Sequence, residues 1–296
     1  MNNQNIKVKS KKISSLRFYH LSVSVILVMT LLLFNLTVNA QTNTKVDKNS
    51  ITQKATKIKD YQGGSLYRIG VMDIVVLNGT YKEMGQQYGY LVKDKIIGAR
   101  DAWKKIFVES EKIAYEDILK VIGMPVYTSV PKAVKDMYEG IAETSGLKLT
   151  EVVIMDNWIP LVLLGRRAGC SSYIAWGSKS TDGTAYMARN LDFPDFSRKL
   201  VTNFGVVTVL NPAGSEYGLA GVGIAGTVTG FNDMMNSAGL YCEFKNGLGS
   251  IEPVWYSNRL DILAFMAANL RNYSSIDELR IQFNTTKSNY PAIIGV

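Results

Sequence analysis

Between Ser171 and Phe244 the apolar residues recur in short alternating runs, broken by Thr181-Asp182-Gly183, Asn211-Pro212-Ala213-Gly214 and Ser237-Ala238-Gly239. A period of two marks half-buried strands, and Gly, Pro, Asn and Asp between the runs mark turns. This stretch therefore predicts an antiparallel sheet with strands over Ser171–Gly177, Thr184–Asn190, Leu200–Leu210, Tyr217–Ala225 and Leu240–Lys245. The flanking sequence has helical spacing instead. Met84, Tyr88, Leu91, Ile96, Trp103 and Phe107 predict one long helix from Tyr81 to about Ser110. Two more are expected over Val130–Ser145, stopped by Gly146, and over Thr150–Leu164, begun by Thr150 as N-cap. Helical patterns return at Trp255–Arg271 and Ser275–Phe283. Ser65–Leu77 reads as a strand or strand pair before the turn signal Asn78-Gly79, and Tyr290–Val296 as a strand just begun. Helices kept apart from an antiparallel sheet give an α+β class.

The first forty residues read as an export signal. Lys7, Lys9, Lys11, Lys12 and Arg17 form a basic start without an acid, followed by an apolar run from Leu21 to Phe34. That run is shorter than the roughly 20 residues a membrane span needs. Small residues in Val38-Asn39-Ala40 place the expected cleavage before Gln41, the alternative being an uncleaved anchor. After cleavage no stable membrane insertion is expected. The 33 basic and 25 acidic residues give a net charge of +8, and five of the basic ones belong to this segment. The remaining balance is +3, too small to argue for a nucleic-acid partner. Residues 41–64 form a polar leader.

Chemistry is limited by what the mature chain lacks. The only histidine is His20, inside the export segment. Cys-His and Ser-His-Asp catalysis and histidine-held zinc are thereby excluded. Two cysteines, Cys170 and Cys242, are too few for a disulfide framework; both are expected to be free, with Cys242 a small buried apolar residue. Cys170 stands in Gly169-Cys170-Ser171-Ser172. A thiol nucleophile without imidazole needs another base, and a free α-amine, with a pKa of about 7.7–8.0, is suited to the task. Cleavage of the Gly169–Cys170 bond would create that amine.

Gly169-Cys170-Ser171-Ser172 followed by Arg189-Asn190-Leu191-Asp192 resembles the cysteine N-terminal-nucleophile (Ntn) hydrolases. The nearest likeness is to the self-processing acyltransferases and hydrolases related to isopenicillin N acyltransferase. Bile salt hydrolases (choloylglycine hydrolases), penicillin V acylases and acid ceramidase are more distant. Gly79-Thr80-Tyr81-Lys82-Glu83-Met84-Gly85-Gln86-Gln87-Tyr88-Gly89 is similar to the opening of that family's propeptide. The resemblance implies a four-layer αββα sandwich preceded by a mainly helical propeptide. The expected organisation is a signal at 1–40, the leader at 41–64, the propeptide at 65–169 and the catalytic domain at 170–296, cut short at its C-terminal end.

The resemblance also implies roles. Cys170 attacks a linear amide carbonyl through a thioester, and Gly169 leaves room for attack on the bond that frees it. Arg189 favours the thiolate, and Asp192 holds the α-ammonium or the thiol. A local salt bridge at a strand end is the plain alternative for the last two. Asn246 matches an oxyanion-hole asparagine, with a simple Asn246-Gly247 turn as the alternative. The expected enzyme hydrolyses or transfers the acyl group of a small N-acyl amide after releasing its own propeptide. A bile salt or penicillin V acylase type of amidase is the second enzyme reading, and a catalytically inactive binding domain is the reading from another class. No cofactor and no metal are implied. Trp158, Trp176 and Trp255 read as core residues, with lining of an acyl pocket as the alternative for one near Cys170. Gly218, Gly221, Gly223 and Gly226 fit close strand packing better than a phosphate loop, because no helix opens after them.

Overall fold

Met72–Gly79 buries Asp73, Val75 and Leu77 while Ile74 and Val76 stay half-exposed, the alternation that a strand with one covered face must show. The computed structural model describes residues 54–110, 112, 114–157, 169–192, 195–214, 217–228, 233–247, 261–288 and 292–296. These belong to one unit, Gln53–Val296. The expected export signal and most of the leader lie outside the described residues.

Three strands open the fold: β1 (Thr56–Tyr61), β2 (Gly64–Ile69) and β3 (Met72–Gly79). Ser65–Leu77 is thus a strand pair, and Gly70, at a φ of +57°, begins the two-residue turn between its halves. The expected long helix is two helices, α1 (Tyr81–Leu91) and α2 (Lys93–Ser110), divided at Val92. The bend lets them serve different neighbours: α1 packs on α5, whereas Gly98 of α2 lies against Phe204. After a short α3 (Tyr115–Ile118) come a π-helical turn (Leu119–Gly123), α4 (Met124–Ser129), α5 (Lys132–Ser145) and α6 (Leu149–Asp156). Gly146 closes α5 in the left-handed region, as expected. The N-cap of α6 is Lys148 rather than Thr150, because Glu151 reaches back to the Lys148 amide. Residues 158–164 of that expected helix lie outside the described residues.

The second half contains β4 (Gly169–Gly177), β5 (Gly183–Asp192), α7 (Asp195–Phe204), β6 (Gly205–Pro212), β7 (Leu219–Ile224), β8 (Asp233–Asn236) and β9 (Tyr241–Asn246). It ends with α8 (Ile262–Leu270), α9 (Ile276–Thr285) and β10 (Ala292–Gly295). The strand expected over Leu200–Leu210 is a correction: the chain is helical to Phe204, and the strand starts at Gly205. β-branched Val201 and Thr202 suggested a strand, but Leu200 and Phe204, four apart, share one helix face and meet the core. Asp261 caps α8 through the amides of Leu263 and Ala264; the first part of that expected helix is outside the described residues.

Two sheets result. The larger runs β1-β2-β3-β6-β7-β8-β9-β10, with β3 and β6 parallel and the other pairs antiparallel; β4 and β5 form a separate hairpin. The chain is therefore α+β with a large mixed sheet. Helix α1 lies on β2, β3 and β6, and α8 on β8 and β9, within a continuous apolar core. Gly221 and Gly223 sit inside β7 opposite Thr208 and Val206, strand positions rather than a phosphate loop.

The segment expected as a helical propeptide is woven into the rest. Its β3 pairs with β6 from Asp73↔Val206 to Gly79↔Pro212. The Tyr88 hydroxyl accepts from the Gly226 amide at 3.1 Å, and Asp156 accepts from the Val228 amide at 2.7 Å.

The Gly79–Gly89 motif now has local reasons. Thr80 and Glu83 form a reciprocal capping box at the start of α1. Gln87 binds the amide and carbonyl of Asn78 and the carbonyl of Gln62, tying α1 to both strand ends. Gly85 and Gly89 let α1 cross α5 closely. A Cβ on Gly85 would meet the Met137 carbonyl at 2.3 Å, and one on Gly89 would meet Ile141 O at 2.7 Å. Backbone cannot swing aside as a side chain does, so Gly85→Ala should cost about 3 kcal/mol of stability through overpacking. Denaturant unfolding checks this; a loss below about 1 kcal/mol would show that the crossing spreads freely.

Candidate active site

The β4–β5 hairpin brings Cys170 and Arg189 together. Its register pairs Gly169 with Asp192, Cys170 with Leu191, Ser171 with Asn190 and Ser172 with Arg189. Directly paired residues share a face and successive residues alternate, so Cys170, Ser172, Arg189 and Leu191 point one way. Arg189 then reaches diagonally along the hairpin, and its Nη2 stands 3.1 Å from the Cys170 sulfur.

The guanidinium is held on several sides. Nη1 donates to Asp233 Oδ2 at 2.7 Å, and Nη2 also donates to the Phe244 carbonyl. The Arg189 side chain is only 6% exposed. Burial opposes its charge, but Asp233 and then Cys170 more than offset this and hold its pKa above the ordinary value. Its Nε is buried without a hydrogen-bond partner among the described residues.

Asp233 has a second donor: the Tyr241 hydroxyl gives to its Oδ1 at 2.7 Å. Burial, followed by the bond to Asp233, raises the Tyr241 pKa well beyond the usual phenol range, so it remains a donor. Asp233 is paired with Glu243 across β8 and β9. Glu243 is wholly buried, and Lys245 Nζ approaches its Oε1 at 2.5 Å. That contact is an ion pair without hydrogen-bond alignment, since among the described residues neither carboxylate oxygen has a hydrogen-bond partner. One side of β8 and β9 therefore presents two opposite-charge pairs, Arg189–Asp233 and Lys245–Glu243.

Asp192 is placed differently. Its pairing with Gly169 puts it on the hairpin face opposite Cys170 and Arg189, and it is exposed. A Cβ built on Gly169 would lie 4.0 Å from Asp192 Oδ2. Asp192 thus flanks the backbone at the Gly169–Cys170 bond rather than the sulfur. Asn246 ends β9, opposite Ala292. Strand alternation groups it with Cys242 and Phe244 on the helix-covered side, so the structure does not group it with Cys170.

Both cysteines are free. Cys242 is fully buried and burial pushes its thiol up to about 12, which makes it the inert apolar residue expected. Trp176 departs from expectation: it is 63% exposed near the hairpin tip instead of in the core. Trp158 and Trp255 lie outside the described residues. Among the described residues no group of three His, Cys, Asp or Glu could hold a metal ion, and no helix is long and apolar enough to cross a membrane.

Sequence reading missed Asp233 and Tyr241. The alternation of Tyr241, Glu243 and Lys245 after the Ser237-Ala238-Gly239 turn was the available signal for polar residues on one strand face. Neither protein-family models nor curated proteins give a match to this chain.

Proposed function

We propose that this chain is an exported, self-processing Ntn hydrolase that cleaves, or transfers the acyl group of, a small linear N-acyl amide. One observation carries the reading: the Arg189 guanidinium is held against the Cys170 sulfur in a mature chain without histidine. The guanidinium sets a positive charge and a hydrogen-bond donor against the sulfur that is to attack. What the pair lacks is a base, and the α-amine of a newly terminal Cys170 supplies one.

In the processing step the Cys170 thiol adds to the Gly169 carbonyl, and the C–N bond breaks as the acyl group moves to sulfur. The proton lost by the thiol goes to the new amine. Water then hydrolyses the thioester, leaving a Gly169 carboxylate and a free Cys170 amine and thiol. Gly169 is already fixed in the ladder opposite Asp192, which presents the scissile peptide extended at the strand start. Asp192 is positioned to bind the ammonium that cleavage creates.

In turnover the same thiol attacks the substrate carbonyl, and the α-amine carries its proton to the leaving amine. Water completes hydrolysis; an amine acceptor completes transfer. The buried Nε–H of Arg189 offers a polar donor near the sulfur. Asn246 is not used here, because strand alternation turns it toward the helices. The reading includes the αββα sandwich: Val222 and Met235 are exposed on the sheet, leaving room for a second sheet begun by the hairpin.

The test is turnover of N-acyl amino acids, conjugated bile salts and penicillin V by purified processed protein. Arg189→Ala should keep its fold and lose about 10- to 100-fold in kcat/KM, the worth of a charge-assisted hydrogen bond. Full activity in this variant would reduce Arg189 to a structural ion pair.

A further inference from the structure

We infer that Asp233, braced by Tyr241, is a positioning residue that aims Arg189 at the Cys170 sulfur. The inference deepens the proposed function and rests on Cys170 being the reacting group. Arg189 comes from the hairpin, whereas Asp233 and Tyr241 come from β8 and β9 of the large sheet. The 2.7 Å bond from Arg189 to Asp233 joins the two sheets at the reacting sulfur, and the 2.7 Å bond from Tyr241 braces Asp233 within the large sheet.

Charge alone does not explain the arrangement. Among the described residues the charged groups on this side are Arg189, Asp233, Glu243 and Lys245, with Tyr241 neutral and Asp192 on the far face of the hairpin. The two ion pairs balance, so the field at the sulfur depends on which end of the Arg189–Asp233 pair points at it. Holding Nη1 leaves Nη2 facing Cys170. Without that hold, the long arginine side chain regains rotamers that miss the sulfur. Tyr241 fills the other carboxylate oxygen and keeps Asp233 from turning.

This makes a prediction opposite in sign to that of a mere counter-charge. Removing a negative group that only dampened Arg189 would increase the positive field and speed the thiolate reaction. Removing a positioning group slows it.

The experiment measures alkylation of Cys170 by iodoacetamide between pH 6 and 9 in the full chain, read by peptide mass spectrometry. Buried Cys242 reports any unfolding. Asp233→Ala should react about 5- to 20-fold more slowly at pH 7, because the guanidinium no longer faces the sulfur as it attacks. Asp233→Asn keeps an acceptor for Arg189 and should stay within about threefold of wild type. Tyr241→Phe should slow the reaction about 2- to 3-fold, the effect of one lost hydrogen bond. Wild-type or faster alkylation in Asp233→Ala overturns the inference, and so does an Asn variant as slow as the Ala variant. If Cys242 becomes reactive in Asp233→Ala, Tyr241→Phe decides, and an unchanged rate there overturns the inference. Alkylation is read whether or not the chain cleaves itself, so failure of the proposed function is seen separately as an uncleaved wild type.

Discussion

Cys170→Ala is expected to accumulate as one uncleaved chain and to lose amide cleavage by on the order of 10⁴-fold or more, the scale seen when a nucleophile is removed. His20 is the only histidine in the sequence, and Cys242 is buried with its thiol held protonated at neutral pH, so under the proposed export neither can substitute. Cys170→Ser separates the two reactions. A hydroxyl at the same position performs the acyl shift slowly, because the Gly169 carbonyl is adjacent and the reaction is intramolecular. The same hydroxyl attacks a bound substrate poorly, since it is the weaker nucleophile. Electrophoresis of the expressed protein and a substrate assay check both variants. An active Cys170→Ala protein would remove Cys170 from the chemistry.

The second large effect concerns what happens to the first fragment. Sequence reading has it released as a propeptide; the structure gives it the β1-β2-β3 end of the eight-stranded sheet. Leaving would strip β6 of the parallel partner that runs from Asp73↔Val206 to Gly79↔Pro212. It would also break the Tyr88–Gly226 bond and open the continuous apolar core in which Val75, Leu77, Met84 and Tyr88 are each essentially inaccessible. Each such side chain is worth about 1.5–3 kcal/mol when buried. Four of them, about 6–12 kcal/mol together, reinforced by the ladder and the Asp156–Val228 bond, match the scale of about 4–15 kcal/mol that association costs. After cleavage the fragments should therefore elute together in native gel filtration and separate only in denaturant. Loss of the smaller fragment under native conditions would contradict this.

The sequence was most legible where a pattern was local. Cys170 and Arg189 lie on two strands joined by a short turn at Asp182-Gly183, so their meeting follows from alternation and register. The helices Lys132–Ser145 and Ile276–Thr285 were announced by caps and periodic apolar residues. Strand β1 was not legible: Thr56–Tyr61 is an exposed edge strand with no buried face and hence no alternation. Strand β8 is four residues long, too short for a period, and it carries Asp233. The β3–β6 pairing joins residues far apart in the chain, and no local rule specifies it. Asp233 could not be assigned to Arg189 without that sheet order, because its position beside the hairpin depends on β8 and β9 lying beneath it.

The most direct test is N-terminal sequencing of purified wild-type protein, combined with an amide-cleavage assay on the same sample. The account predicts an active sample with two N-termini, Gln41 and Cys170. An active sample consisting of one uncleaved chain through Gly169–Cys170 would contradict it, because Cys170 would then be working without the α-amine that serves as its base.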